Sequence, residues 1–102
     1  MKHKISSELA QEIIERSGGY CEICGSGLVC QIHHIVRRHV PPTRDNLIML
    51  CYTHHLGTCG VHGRDGHELD IKLKKELQAK LFADGHSEEE VRKMMGGKLE
   101  ID

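Results

Sequence analysis

Two short segments of the chain repeat one spacing of metal-binding residue types. CEIC (21–24) and CYTH (51–54) each place two thiol or imidazole groups three positions apart. Two intervening residues let a tight turn direct both side chains at one tetrahedral ion, with sulfur about 2.3 Å from a zinc ion. Four such ligands fill the coordination shell. The spacing therefore predicts a structural Zn²⁺ site formed by Cys21, Cys24, Cys51 and His54.

Two aspects of this predicted site stay open in the sequence. Cys59 lies close enough along the chain to replace His54 as the fourth ligand. The alternative to a metal is a redox-active cysteine pair, or cysteines packed as small apolar residues, a role that Cys30 fits best. A disulfide framework is disfavoured because the five cysteines are an odd number.

The composition indicates why a metal crosslink would be needed. The 102 residues predict one domain, and with 38% hydrophobic residues, one Phe and no Trp its core is small. No apolar run has the length of a signal peptide or a membrane span, so we expect a cytoplasmic protein with reduced thiols. The net charge of −1 argues against a strongly basic nucleic-acid binder. However, residues 31–67 carry four arginines against two aspartates, a local positive charge that favours the binding of phosphate groups.

Local patterns predict four helices and two strands. A helix over 6–16 has serine caps and ends at Gly18-Gly19, and strands over 28–36 and 46–50 flank a loop enforced by Pro41-Pro42. A short helix follows near residue 52, then a helix over 68–82, and SEEE (87–90) is a capping box for the last helix. We expect the leucine stripe at 69, 73, 77 and 81 to pack against the first helix; a dimer or partner surface is the alternative.

Apart from the zinc ligands, four histidines and one asparagine form a second group. His33 and His34 are adjacent in a predicted strand, so they face opposite sides and have different tasks. Asn46 follows the Pro-Pro loop, and its amide can hydrogen-bond backbone groups on both sides and hold the loop. His55 follows His54 directly, so a zinc ion would fix its backbone. His62 lies seven residues further on.

In their order along the chain, CEIC, HHI, DNLIMLC and THH resemble the motifs of the HNH endonucleases, specifically the zinc-stapled branch often found in phages. The resemblance covers about residues 20–63. It implies an α+β fold: a small ββα-metal core with a structural zinc knuckle, an N-terminal helix and a C-terminal helical extension over about 67–97. Residues 1–102 would then be one HNH nuclease domain that hydrolyses DNA phosphodiester bonds with one divalent cation.

Position by position, the resemblance implies specific roles. His33 and His55 correspond to ligands of the catalytic cation, and His62 to a further ligand that some members place on the same helix. His34 corresponds to the general base, and Asn46 to the asparagine that supports the loop and the base. The chain departs from the family pattern at His54, where a fourth cysteine is usual, and in the long, glycine-interrupted spacing from His55 to His62.

The chemistry of these residue types agrees with phosphodiester hydrolysis. Neutral imidazole suits a general base, and a divalent cation stabilises the leaving oxygen. Imidazole ligands favour Zn²⁺, Ni²⁺ or Mn²⁺ over Mg²⁺. Arg37, Arg38 and Arg44 flank the site and are candidates for DNA phosphate contacts, or belong to a solvated loop. In so small a chain we expect low sequence specificity unless a partner protein or a homodimer supplies recognition. A non-catalytic zinc module that binds nucleic acid or protein is the alternative function.

Overall fold

The computed structural model describes residues 4–36 and 40–100. Its elements are α1 (Ser7–Ser17), β1 (Gln31–His34), β2 (Leu47–Leu50), α2 (Tyr52–His55), α3 (His67–Ala83) and α4 (Glu88–Met94). The strands form one two-stranded antiparallel sheet, so the architecture is α+β, as predicted. In this described part of the chain, no helix combines the length and the apolar character that crossing a membrane requires.

The helix ends follow the capping chemistry that the sequence predicts. The side chain of Ser6 accepts a hydrogen bond from the Leu9 N–H and begins α1, and Gly18 ends it in the left-handed conformation, with φ of 69°. Ser87 and Glu90 form the reciprocal bonds of a capping box at the start of α4. The predicted boundaries of these helices are therefore confirmed to within about one residue, the usual uncertainty of a helix end.

Strand β1 is shorter than the prediction of 28–36. Val29 has φ of 46°, a left-handed conformation that is rare for a β-branched residue. The N–H of Leu28 donates to the hydroxyl of Ser26, so the chain is still in a turn at this point. At the other end, the pairing continues for one bond beyond the strand, from the Ile35 N–H to the Asn46 carbonyl.

The core consists of two apolar clusters on opposite faces of the β1–β2 hairpin. The smaller cluster packs Ile13 of α1 against Leu47 and Met49 of β2. The larger cluster lies on the face of Leu50 and contains the buried leucines of α3, Val91 of α4 and Met95. The prediction that the leucine stripe packs against α1 is therefore wrong, because the hairpin places α1 and α3 in different clusters.

Candidate metal centres

Three cysteines and one histidine meet where the CEIC turn contacts the start of α2. The ligand atoms of Cys21, Cys24, Cys51 and His54 all lie within 4.8 Å of one another. His54 Nδ1 is 3.4 Å from Cys51 Sγ and 3.7 Å from Cys21 Sγ, and the sulfurs of Cys24 and Cys51 are 3.7 Å apart. Similar separations are expected between the ligands of one tetrahedral ion with bonds of about 2.0–2.3 Å. This Cys₃His site could therefore hold a metal ion such as Zn²⁺.

Of the two candidates for the fourth ligand, the fold places His54, and not Cys59, with the three cysteines. Cys51 is the N-cap of α2 and His54 is three residues later, so the two side chains lie on one face of the first turn. Cys59 lies beyond the end of α2, is exposed, and is outside the site.

The hydrogen bonds of the CEIC turn set the acidity of its two thiols. Burial raises the pKa of Cys21, but backbone hydrogen bonds, the strongest from Cys51, outweigh it and lower the pKa to about 6. The Ser26 backbone lowers the pKa of Cys24, but burial and the neighbouring Cys51 and Cys21 thiols together raise it above its usual value. The lowered pKa favours the thiolate of Cys21, which is the form that binds a metal ion.

A second cluster consists of His33 of β1, His55 of α2 and His62 of the following loop. One ring nitrogen from each lies within 4.8 Å of the other two. The ring centroids are 4.8–5.5 Å apart, and the rings meet edge to face. His33 is buried, with 3% of its surface exposed, whereas His62 is exposed. The fold thus brings together the three histidines that the resemblance marks as cation ligands, with one of them at the surface.

His34 is next to this histidine cluster along the chain but is not part of it. Across the hairpin, His33 pairs with Ile48 and His34 pairs with Leu47. Successive residues of a strand face opposite sides of the sheet. Because Leu47 belongs to the cluster with Ile13, His34 lies on the α1 face and His33 on the other. The role of His34 as a general base stays a prediction.

Asn46 joins the two ends of the loop between the strands. Its Oδ1 accepts a hydrogen bond of 2.7 Å from the Val36 N–H, and its Nδ2 donates one of 2.9 Å to the Val36 carbonyl. The side chain is buried, with 3% of the residue exposed. Both bonds of the amide go to the backbone of Val36, at the opposite end of the loop, which agrees with the loop-supporting task predicted for Asn46.

The chain reaches His62 through a glycine repeat whose role the sequence analysis missed. Glycines recur at every third position, and each of the later three donates its N–H to the carbonyl of the glycine before it, at 2.8, 2.8 and 3.2 Å. The repeat consists of Gly57, Gly60, Gly63 and Gly66. It winds the loop into tight turns of three residues, and the spacing of three in GTCGVHGRDG was the available signal.

This loop lies so close to α2 that Gly57 and Gly60 cannot be replaced without displacement. A Cβ atom at Gly60 would lie 2.7 Å from the Thr53 carbonyl oxygen and 2.8 Å from the His54 carbonyl carbon. The close approach allows the Val61 N–H to bond the His54 carbonyl at 2.9 Å. In the same way, the N–H of His62 bonds the carbonyl of His55 at 2.8 Å, so backbone contacts fix the distance between these two histidines.

The predicted nucleic-acid contacts are only partly described by the structure. Arg37 and Arg38 lie outside the described residues. Arg44 is exposed in the loop before Asn46, and its carbonyl accepts a hydrogen bond from Arg16.

Neither a family model, nor a curated protein, nor a solved structure matches this chain. Its possible chemistry follows from the two clusters of side chains. The Cys₃His site offers four ligands, enough to complete a tetrahedral shell. The histidine cluster offers three, which leaves coordination positions for a water or a substrate oxygen.

Proposed function

We propose that the protein is a metal-dependent endonuclease of the HNH type that hydrolyses phosphodiester bonds in DNA. The observation that carries the proposal is the meeting of His33, His55 and His62 at one point beside the hairpin loop that Asn46 secures. Three imidazoles retain a divalent cation and leave positions for a phosphate oxygen and water. The order of the motifs along the chain supports the same class of protein.

In this proposal the Cys₃His site holds a structural Zn²⁺, because four protein ligands leave no position for a substrate. Helix α2 would serve both centres. Cys51 and His54 at its start belong to the structural site, and His55 belongs to the histidine cluster. A structural ion would therefore fix the backbone of a ligand of the catalytic cation.

The bound cation would supply charge stabilisation for the phosphate and the leaving oxygen. The residues of the chain would perform the remaining tasks. His33, His55 and His62 would hold the cation. His34 is the last residue of β1, and it would take the proton from the attacking water through a neutral ring nitrogen when a twist at this strand end turns its ring from the α1 face towards the cation. Asn46 would keep the loop after His34 in place through its two bonds to Val36.

Cleavage of supercoiled plasmid by the purified protein tests the proposal. We expect nicking with Mn²⁺, Ni²⁺, Mg²⁺ or Zn²⁺ that EDTA abolishes. His34→Ala should lower the rate by about 100-fold or more, as expected on loss of a general base. His55→Ala should lose activity while retaining the zinc of the Cys₃His site. His86→Ala is the matched control, because this histidine lies before α4 and outside both clusters.

Two results would contradict the proposal. If the wild type is inactive on duplex, single-stranded and branched DNA with every metal, a non-catalytic zinc module that binds nucleic acid or protein becomes the better description. If His34→Ala cuts as fast as the wild type, the assignment of the base is wrong. The expected low sequence specificity is contradicted if the isolated protein cleaves one defined site on a long DNA at physiological salt.

A further inference from the structure

The outer edge of β2 presents backbone groups that need hydrogen-bond partners. The bond from the Ile35 N–H to the Asn46 carbonyl shows that the even-numbered residues of this strand direct their backbone towards β1. In an antiparallel pair, the intervening residues direct theirs away from the partner strand. The N–H and C=O groups of Leu47 and Met49 therefore point outwards, at an edge that proteins usually cover.

Arg16 and Glu22 cover this edge. Arg16 Nη2 donates to the Leu47 carbonyl at 2.7 Å. The Met49 N–H donates to Glu22 Oε2 at 2.7 Å, and the Met49 carbonyl accepts from the Glu22 N–H at 2.9 Å. Three of the four outward backbone groups thus have partners from the N-terminal part of the chain.

The two side chains also bind each other in a fixed geometry. Arg16 Nε and Nη2 donate to the two carboxylate oxygens of Glu22 at 2.7 and 2.8 Å. Arg16 Nη1 donates to the Arg44 carbonyl at 2.7 Å, in the loop that leads to Asn46. The side chains of Arg16 and Glu22 are 34% and 20% exposed, so solvent weakens the charge attraction. The planar, bidentate geometry nevertheless fixes the direction of both groups.

This pair joins the parts of the molecule that carry the two candidate centres. Glu22 lies between Cys21 and Cys24 in the CEIC turn, and these cysteines meet helix α2 at the Cys₃His site. Strand β2 runs directly into α2 and pairs with β1, which carries His33. The CEIC turn thus contacts α2 at the Cys₃His site, and α2 directly continues β2. The Arg16–Glu22 pair connects β2 back to the CEIC turn.

We propose that Arg16 and Glu22 are positioning residues of the histidine cluster. They fix β2 against the CEIC turn, and this sets the angle at which the hairpin presents His33 to His55 and His62. This inference rests on the proposed function, since it assigns the pair to the cation site of that proposal. The hydrogen bonds described for Arg16 and Glu22 go to each other, to the Arg44 carbonyl and to the backbone of β2, so both residues act through the backbone of β2.

The test compares Arg16→Gln with Arg92→Gln, which removes an arginine from an exposed ion pair of 3.7 Å with Glu88 on α4. The protein is first loaded with one equivalent of Co²⁺ at the Cys₃His site, and Ni²⁺ is then titrated by calorimetry. For Arg16→Gln we expect Ni²⁺ affinity lower by about tenfold or more, as for residues that orient metal ligands. The thiolate-to-cobalt absorption should keep its wild-type intensity. Exchange of the Met49 amide should accelerate by about tenfold.

Further variants show whether the two residues act as a unit. Glu22→Gln should weaken Ni²⁺ binding as Arg16→Gln does, and the double variant should be no worse than either single variant. Arg16→Lys keeps the charge but not the bidentate geometry, so an intermediate affinity is expected. It also serves as the test protein if Arg16→Gln does not fold.

Three outcomes would overturn the inference. The first is that Arg16→Gln matches Arg92→Gln in both Ni²⁺ affinity and Met49 exchange. The second is that Arg16→Gln loses the thiolate-to-cobalt absorption together with Ni²⁺ affinity, since the pair would then support the fold in general. If the wild type binds no second ion, the proposed function fails, and two NMR measurements test the inference instead: the protection of the Met49 amide from exchange and the proximity of the His33 and His55 rings. Loss of both the protection and the proximity in Arg16→Gln supports positioning. Retention of both is the third overturning outcome.

Discussion

At the scale of single residues, Asn46 shows how one buried amide fixes a loop. Its donor and its acceptor both bond the backbone of Val36, ten positions away, in the interior of the protein. Each bond satisfies a backbone group that has little access to water. A buried backbone group without a partner costs about 1–3 kcal/mol. The side chain therefore stabilises the loop more by preventing this cost than by its own packing.

We predict that Asn46→Ala lowers the free energy of unfolding by about 2–4 kcal/mol, since both the N–H and the C=O of Val36 lose their partner. Urea unfolding followed by circular dichroism measures this difference. Asn46→Asp is the graded control, because a carboxylate still accepts from the N–H but does not donate to the carbonyl. An Asn46→Ala variant as stable as the wild type would show that the loop is held by other contacts.

The sequence predicts that CEIC and CYTH meet at one site, because two residues between ligands is a local geometric requirement. It does not decide between His54 and Cys59, since that choice depends on the helical turn that places His54 three residues after Cys51. The Arg16–Glu22 pair was also missed. Its residues lie on either side of the Gly18 turn, and their partners on β2 are more than 25 residues away.

At the scale of elements, the four residues of α2 gain their geometry from what flanks them. Isolated helices of this length are unstable in water. Here the Cys₃His site lies at the N-terminal end, and the glycine repeat packs against the backbone of Thr53 and His54. This short element is therefore fixed by contacts from outside its own helical turn.

We predict that Gly60→Ala weakens cation binding at the histidine cluster by about tenfold or more. The added Cβ would lie 2.7 Å from the Thr53 oxygen, so the loop must move away from α2, and His62 moves with it. Calorimetric titration with Ni²⁺ on protein preloaded at the Cys₃His site measures the change. Gly85→Ala is the control: its φ of 94° strains an added side chain, but the Cβ would meet nothing within 4 Å. Equal affinities in the two variants would contradict the role of the glycine repeat.

The capping box of α4 predicts a pH dependence of stability. The Ser87 backbone, followed by its hydroxyl, lowers the pKa of Glu90 below its usual value. A lowered pKa in the folded state means that the ionised carboxylate contributes stability above the unfolded pKa of about 4.3. This stability is lost as the pH falls through the lower folded value.

Glu90→Gln should therefore lower the melting temperature at pH 7, and the difference should shrink below about pH 4. Thermal unfolding at a series of pH values measures it. Glu89→Gln, which alters the same first turn of α4 without touching the capping box, should show a smaller difference. A difference for Glu90→Gln that stays constant with pH would mean that charge is not involved.

Helix ends were predictable because caps depend on residues that are close in sequence, such as Ser6 with Leu9 and Ser87 with Glu90. The start of β1 was not, since the left-handed conformation of Val29 contradicts the β propensity of valine. The packing partner of the leucine stripe was wrong for a related reason. An apolar helix face indicates that it is buried, but not which cluster buries it.

At the scale of the whole molecule, the hairpin separates two apolar clusters, and Cys30 packs against both of them. Cys21 and Cys51 both belong to the larger cluster, so the Cys₃His site lies at its border and ties the CEIC turn to α2. An ion held by these four ligands, which come from the two segments CEIC and CYTH, would replace the apolar contacts that a larger core would supply. The stability of the molecule should therefore depend strongly on the ion.

We predict that saturating Zn²⁺ raises the free energy of unfolding by about 4 kcal/mol at a free concentration a thousand times the dissociation constant. For a chain of this size the melting temperature should rise by roughly 15–30 °C. Calorimetry of chelated and Zn²⁺-loaded protein under reducing conditions measures the shift. Cys51→Ser should abolish it, because it removes a buried ligand. Cys59→Ser is the matched control and should retain the full shift, because this cysteine is exposed and outside the site. Equal losses in the two variants would place Cys59 in the zinc site and contradict the Cys₃His assignment.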